Sequence, residues 1–146
     1  MIHIDRLCMQ LGNFSLDHVS FTIPSGHYAV LMGKTGSGKT SILEAICGLR
    51  PVTSGRIVLT GVDVTNSKPA ERLVGYVPQD LTLFSHMNVK HNILYGARSD
   101  RDDGSAEGLE QILSLLELHP FLDRRASDLS GGERQRVALA RALSLE

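Results

Sequence analysis

The sequence lacks the features of a membrane, secreted or metal-cluster protein. No apolar run approaches the ~20 residues that a membrane-crossing helix needs. Met1-Ile2-His3-Ile4-Asp5 has none of the basic-then-apolar character of a secretory leader, so none is expected. Cysteine is scarce: Cys8 and Cys47 lie far apart among apolar neighbours. The expectation is two buried free thiols in a reducing cytoplasm, with a disulfide between them as the alternative. Six histidines are scattered without ligand spacing, so no structural metal site is expected. A formal net charge of −1 gives no reason to expect nucleic acid or an anionic membrane as the main partner. No internal repeat or low-complexity tract occurs. What remains is 146 residues, the length of one domain, of which 42% are hydrophobic, enough to bury a core.

The most informative stretch is Gly33-Lys34-Thr35-Gly36-Ser37-Gly38-Lys39-Thr40, which satisfies G-x-x-x-x-G-K-[ST] at every fixed position. Before it, Tyr28-Ala29-Val30-Leu31-Met32 reads as a buried strand; after it, Ile42, Leu43, Ile46 and Leu49 fall at helical spacing. A strand, a glycine-rich turn and a helix N-terminus together make an anion hole. The pattern predicts a nucleoside triphosphate, with Lys39 reaching its β- and γ-phosphates and the Thr40 hydroxyl holding Mg²⁺.

Residues 2–11 and 16–23 read as strands, the second with Val19, Phe21 and Ile23 alternating against Ser20 and Thr22. Gly48 and Pro51 stop the loop helix, Thr53-Ser54-Gly55 turns the chain, and residues 56–59 and 61–64 read as a hairpin. Residues 73–78 read as a further strand that delivers Gln79 to its carboxyl end, where ligands collect in doubly wound sheets. Gln79 is equally compatible with an ordinary polar loop. Val89, Ile93 and Leu94 suggest a short helix ending near Gly96, and residues 98–104 a charged loop. Leu109, Ile112, Leu113 and Leu116 form an amphipathic core stripe. Next, Leu129-Ser130-Gly131-Gly132-Glu133-Arg134-Gln135 opens a last helix, with Ser130 as N-cap and Glu133 completing a capping box. That is a second anion site of the same physical type.

Gly33 to Thr40, Gln79 and Leu129 to Gln135, in this order, resemble the ATP-binding subunits of ABC transporters. Val74-Gly75-Tyr76-Val77-Pro78-Gln79-Asp80-Leu81 and Leu83-Phe84-Ser85-His86-Met87-Asn88-Val89 resemble importers in particular. Gly12-Asn13-Phe14-Ser15-Leu16 is most similar to molybdate, tungstate or sulfate import subunits. The resemblance implies an α/β P-loop NTPase fold: a RecA-like core with an antiparallel β subdomain, plus an α-helical signature subdomain. It implies one partial nucleotide-binding domain over residues 1–146, with β subdomain and core at 1–86, helical subdomain at 87–135 and the end of the signature helix at 136–146.

It also implies ATP and Mg²⁺ as cofactors. Gly33, Lys34, Thr35, Gly36, Ser37, Gly38, Lys39, Thr40 and Ser41 would contact the nucleotide. Lys39 and Gln79 would be catalytic, and Thr40 and Gln79 would serve the metal. Leu129, Ser130, Gly131, Gly132, Glu133 and Gln135 would meet the nucleotide of a second ATPase subunit, in a head-to-tail pair that is expected to be a homodimer. Transmembrane permease subunits would be the other partners, holding the protein at the cytoplasmic face of the cell membrane. ATP would close the dimer and hydrolysis would open it.

Two departures from the family pattern follow. Where an aromatic usually stacks on adenine this chain reads Gln10-Leu11-Gly12, and the nearest ring, Phe14, either takes that role or packs in the core. The family's Mg²⁺-directing Asp, general-base Glu and switch His would follow Glu146, and Asp63 after Ile57-Val58-Leu59 is a poor substitute in a hairpin. The expectation is a chain that binds ATP and hydrolyses it negligibly, with a hydrophobic strand edge left open beside the phosphate-loop strand. Other readings are a non-hydrolysing interaction module and an ABC ATPase of DNA repair or translation. A P-loop kinase would lack residues 129–135.

Overall fold

The computed structural model describes residues 1–95 and 105–144, so the expected helix end at Gly96 and the charged loop at 98–104 lie outside the described residues. The chain divides into two compact units, residues 1–72 and 73–146.

The first unit is built on a four-stranded antiparallel sheet in the order β2-β1-β3-β4, with β1 at Ile2–Leu11, β2 at Phe14–Ile23, β3 at Ser54–Leu59 and β4 at Val62–Asp63. The buried positions of β1 are Ile4, Leu7 and Met9, which break the two-residue period between 4 and 7. The ladder loses register at the same place, and Arg6 there adopts φ +45°. In β2 the phase changes between buried Leu16 and the half-buried Val19, Phe21 and Ile23, with His18 at φ +53°. Each bulge inserts one residue and so moves the following apolar set back to the buried face. The displaced backbone groups are satisfied locally. Arg6 N–H donates to Ser20 Oγ (2.8 Å), and His18 N–H donates to Cys8 Sγ (3.3 Å). Gly55 on β3 is required by this bulge, because a Cβ there would lie 2.4 Å from the Arg6 carbonyl oxygen.

Helix α1 (Lys39–Ile46) buries Ile42, Ala45 and Ile46, while Leu43 and Leu49 of the expected stripe are exposed. Its C-terminal end is held by Arg72, a buried guanidinium donating to the carbonyls of Ala45 (2.7 Å), Ile46 (3.1 Å), Thr65 (3.0 Å) and Ser67 (3.0 Å). Both thiols are free. Cys47 is buried, and its pKa is raised by that burial, whereas Cys8 is only half-buried, contrary to expectation, because it sits at the bulge.

Two expected strands are corrected. Residues 28–32 form no strand, and Tyr28, Val30 and Met32 are 103%, 80% and 84% exposed. Residues 73–78 likewise have no ladder. A strand is defined by the neighbour that takes its N–H and C=O groups, and neither run pairs with another among the described residues. The anticipated open strand edge is therefore an exposed apolar segment.

The second unit is helical: α2 (Val89–Leu94), α3 (Ser105–Leu115) and α4 (Gly131–Leu143), with short 3-10 turns at His119–Phe121 and Ala126–Asp128. Its core joins Val89 and Ile93 of α2, Leu113 of α3, Leu118, Leu129, and Val137 and Ala140 of α4. Leu109, Ile112 and Leu116 pack against this core from half-buried positions, as their spacing predicts.

Candidate functional site

The phosphate-loop residues sit where the motif predicts, in an open turn running into α1. Gly36 and Gly38 have φ +82° and +86°, and Ser37 N–H donates to the Lys34 carbonyl (3.2 Å). Lys39 folds its ammonium across the loop onto the carbonyls of Gly33 (2.9 Å) and Lys34 (2.7 Å). That charge is held by neutral acceptors alone, so an arriving phosphate offers it a stronger partner. Gly38 caps α1 in the left-handed conformation and supplies no side-chain oxygen. The first-turn N–H groups of Lys39, Thr40 and Ser41 have no carbonyl within the helix, and no cap competes for them. Thr40 is exposed on this turn, and Lys34, Thr35 and Ser37 are exposed on the loop.

Phe14 belongs to the same place. A Cβ on Gly38 would lie 2.9 Å from the Phe14 ring and 2.9 Å from Leu16. The half-buried ring of Phe14 thus abuts the end of the phosphate loop. This contact is compatible with either of the two roles considered for it.

The second unit carries the other candidates. Gln79 is exposed in a turn, followed by Leu81 and Thr82 at φ +61° and +35°. At the start of α4 the capping box is complete. Ser130 N–H donates to Glu133 Oε2 (2.6 Å) and Glu133 N–H donates to Ser130 Oγ (3.3 Å). The Ser130 hydroxyl, then its N–H, hold the Glu133 carboxyl below its ordinary pKa. Leu129 is buried in the helical core and fixes the approach to the turn, while Gly131, Gly132 and Gln135 are exposed. Neither glycine has a positive φ, and a Cβ on either would meet nothing within 4 Å.

Asp63 is occupied by local structure. Its Oδ1 accepts from Thr65 Oγ1 (2.6 Å) and N–H (3.0 Å), its Oδ2 lies 3.3 Å from Arg56, and the Thr65 hydroxyl leads in lowering its pKa. It is a hairpin residue, as its sequence context suggests. A cleft at the β1 bulge, lined by Asp5, Arg6, His18, Ser54, Gly55 and Arg56, is largely self-neutralised. Arg6 pairs with Asp5 and Arg56 with Asp63.

Sequence reasoning missed two residues of the second unit. Asn92 is fully buried, and its amide donates to the carbonyls of Phe84 (3.0 Å) and Asn88 (3.0 Å) and accepts from Phe84 N–H (2.8 Å). Arg141 donates to the carbonyls of Thr82 (2.9 Å) and Leu81 (3.3 Å) and stacks on Phe84. No helix, described throughout, is long and apolar enough to cross a membrane.

The chain is 40% identical over 148 residues to the sulfate/thiosulfate import ATP-binding protein CysA of Synechococcus elongatus, covering 99% of this chain and 43% of that protein. It is 38% identical over 148 residues to the molybdate/tungstate import ATP-binding protein WtpC of Pyrococcus abyssi, covering 100% of this chain and 43% of that one. The chain thus spans less than half the length of these two curated relatives. Among solved structures it is similar to a dimeric ATP-binding cassette in a post-hydrolysis state bound to ADP and Pi, with 25% identity and a TM-score of 0.81. That likeness covers 99% of this chain and 69% of the cassette. The ABC transporter family matches residues 16–146. With its P-loop NTPase fold and both glycine-flanked helix starts in family order, this chain belongs to the ABC transporter family.

Proposed function

We propose that this chain is the ATP-binding part of an ABC import system, receiving Mg-ATP on its phosphate loop and meeting a partner's nucleotide with its signature turn. Lys39 leaves the Gly33 and Lys34 carbonyls for the β- and γ-phosphates, while the N–H groups from Gly36 to Ser41 close on the same oxygens. The Thr40 hydroxyl and the Gln79 amide oxygen are hard oxygen donors of the type Mg²⁺ accepts, and both side chains are exposed. Mg²⁺ there neutralises phosphate charge. Phe14, beside Gly38, lies within reach of a base stacked at the loop end.

The observation that carries the reading is the pair Gly131-Gly132. Glycine costs up to about 1 kcal/mol in a helix relative to alanine, and the chain's own packing gives no return for it. That open glycine backbone supports a close approach from outside the chain. A nucleotide held on the phosphate loop of a second copy fits, because the helix start offers N–H groups and the positive dipole end. Ser130, Gly131, Gly132 and Gln135 would line that contact, with Leu129 and Glu133 fixing its shape.

Permease subunits would be the further partners, seating the assembly at the inner face of the membrane, and the division at residues 86 and 135 belongs to the same reading. The names of the relatives suggest a small oxyanion as the solute. A general base contributes about 10²–10⁴-fold to hydrolysis, and Asp63, held by Thr65 and Arg56, is not offered for that role. Equilibrium binding of Mg-ATP, with sedimentation of the chain with and without nucleotide, tests the proposal. Failure to bind Mg-ATP would refute the nucleotide role, and binding without any ATP-dependent self-association, even with a full-length relative, would refute the role in trans.

A further inference from the structure

The two ends of α4 do different work. Its N-terminus carries the Ser130–Glu133 capping box, and its last turn grips the segment that bears Gln79. On one side of Gln79, Gly75 lies so close to α4 that a Cβ would stand 2.5 Å from the Ala142 carbonyl oxygen. On the other side, Arg141 donates to Thr82 O (2.9 Å), Leu81 O (3.3 Å) and Thr82 Oγ1 (3.4 Å), and lies 5.7 Å from the Phe84 ring centroid. Leu81 and Thr82 are both held in left-handed backbone, which non-glycine residues keep only where surroundings impose it. The Arg141 fork, half-buried and with its pKa lowered by burial, is the group that imposes it from α4, while Asn92 fixes the next residues from α2. Arg141 and Gly131 lie ten residues apart on one helix, a span of about 15 Å.

We propose that Arg141 is a positioning residue that joins the Gln79 segment to the signature end of α4, so that nucleotide contact at Gln79 is felt at Ser130 and the two glycines. This rests on the nucleotide roles assigned above to Gln79 and residues 130–132. A planar two-nitrogen donor is needed because two successive carbonyls must be held at once. Lysine can satisfy one of them.

Hydrogen exchange on the chain, with and without saturating Mg-ATP, tests the coupling. In wild type, nucleotide is expected to slow exchange about threefold or more at residues 79–84 and again at 130–136. In Arg141→Met, basal exchange at 81–84 rises about tenfold, the response at 130–136 disappears, and nucleotide affinity stays within about twofold of wild type. Arg141→Lys restores part of the response. A strut with no coupling role would leave the response at 130–136 intact in Arg141→Met, which overturns the inference. If Arg141→Met unfolds α4, Arg141→Lys, which can hold only one of the two carbonyls, takes its place, and an undiminished response there also overturns it. Bound nucleotide without any wild-type response at 130–136 removes the coupling alone. A wild type that binds no nucleotide removes the phosphate-loop reading with it.

Discussion

Helices α1 and α4 begin alike in sequence, each with glycine at its start and a hydroxyl residue nearby, yet their first turns are finished in opposite ways. At α1 the N-cap is Gly38, left-handed and without any side-chain bond. At α4 the N-cap is Ser130, and a reciprocal box with Glu133 closes the turn. The first helix leaves its donors for a ligand and brings its own cation, Lys39. The second satisfies part of its own start, with Arg124 and Arg136 acting on its capping Glu133, and keeps the glycine backbone open. A helix start can thus be built to hold an anion or to complete a site that something else holds.

Removing the cation should produce the widest separation between the two. Lys39→Ala is expected to weaken Mg-ATP binding by roughly tenfold to a hundredfold, the worth of hydrogen bonds to a charged group. Chemical stability should barely move, because Lys39 meets only loop carbonyls and Ser37. Titration calorimetry beside urea unfolding checks both halves. Ser130→Ala should do the reverse, costing about 1 kcal/mol of stability in the helical unit through the lost cap while own-loop ATP binding stays unchanged.

Gly132→Ala should be still gentler and opposite in sign. Nothing lies within 4 Å of the added methyl, so unfolding should show a gain of up to about 1 kcal/mol. Nucleotide-driven association should weaken, and stronger association would contradict a close approach at that backbone. The smallest effect is in pH. Glu133 has a carboxyl pKa lowered in the folded state, so its stabilisation is present above the ordinary value of 4.5 and is lost as pH falls through the lower folded pKa. Stability of the helical unit followed from pH 6 down to pH 3 should fall more steeply in wild type than in Glu133→Gln.

Much of this was legible because it is local. The α3 stripe, the Ser130–Glu133 box and the glycine-lysine loop are spacings within one or two helical turns, and each is found where the sequence placed it. What was not legible depends on partners distant in the chain. The apolar run at 28–32 has strand composition, but composition cannot supply the neighbouring ladder. The bulges at Arg6 and His18 showed only as a phase slip among apolar residues, a signal that could have been read from Ile4, Leu7 and Met9. Asn92 and Arg141 bond mainly to backbone carbonyls, which every residue has, so no pattern of residue types marks them. Ligand roles for Gln79 and Phe14 depend on molecules outside the chain, which no spacing of residues within it encodes.

Arg72 has a consequence beyond tying off α1. Its guanidinium sits on the carbonyls at the negative pole of the helix whose positive pole faces the phosphate loop. An eight-residue helix is about 12 Å long, so this buried cation is little more than a Debye length from any anion bound at the other end. A cation there offsets the negative pole of the helix and leaves the positive pole, at the phosphate loop, the less opposed of the two. Gly48 is locked to it, since a Cβ there would lie 2.6 Å from Arg72 Nε. A side chain at position 48 would therefore press on the guanidinium itself, so the glycine keeps the helix end free for Arg72.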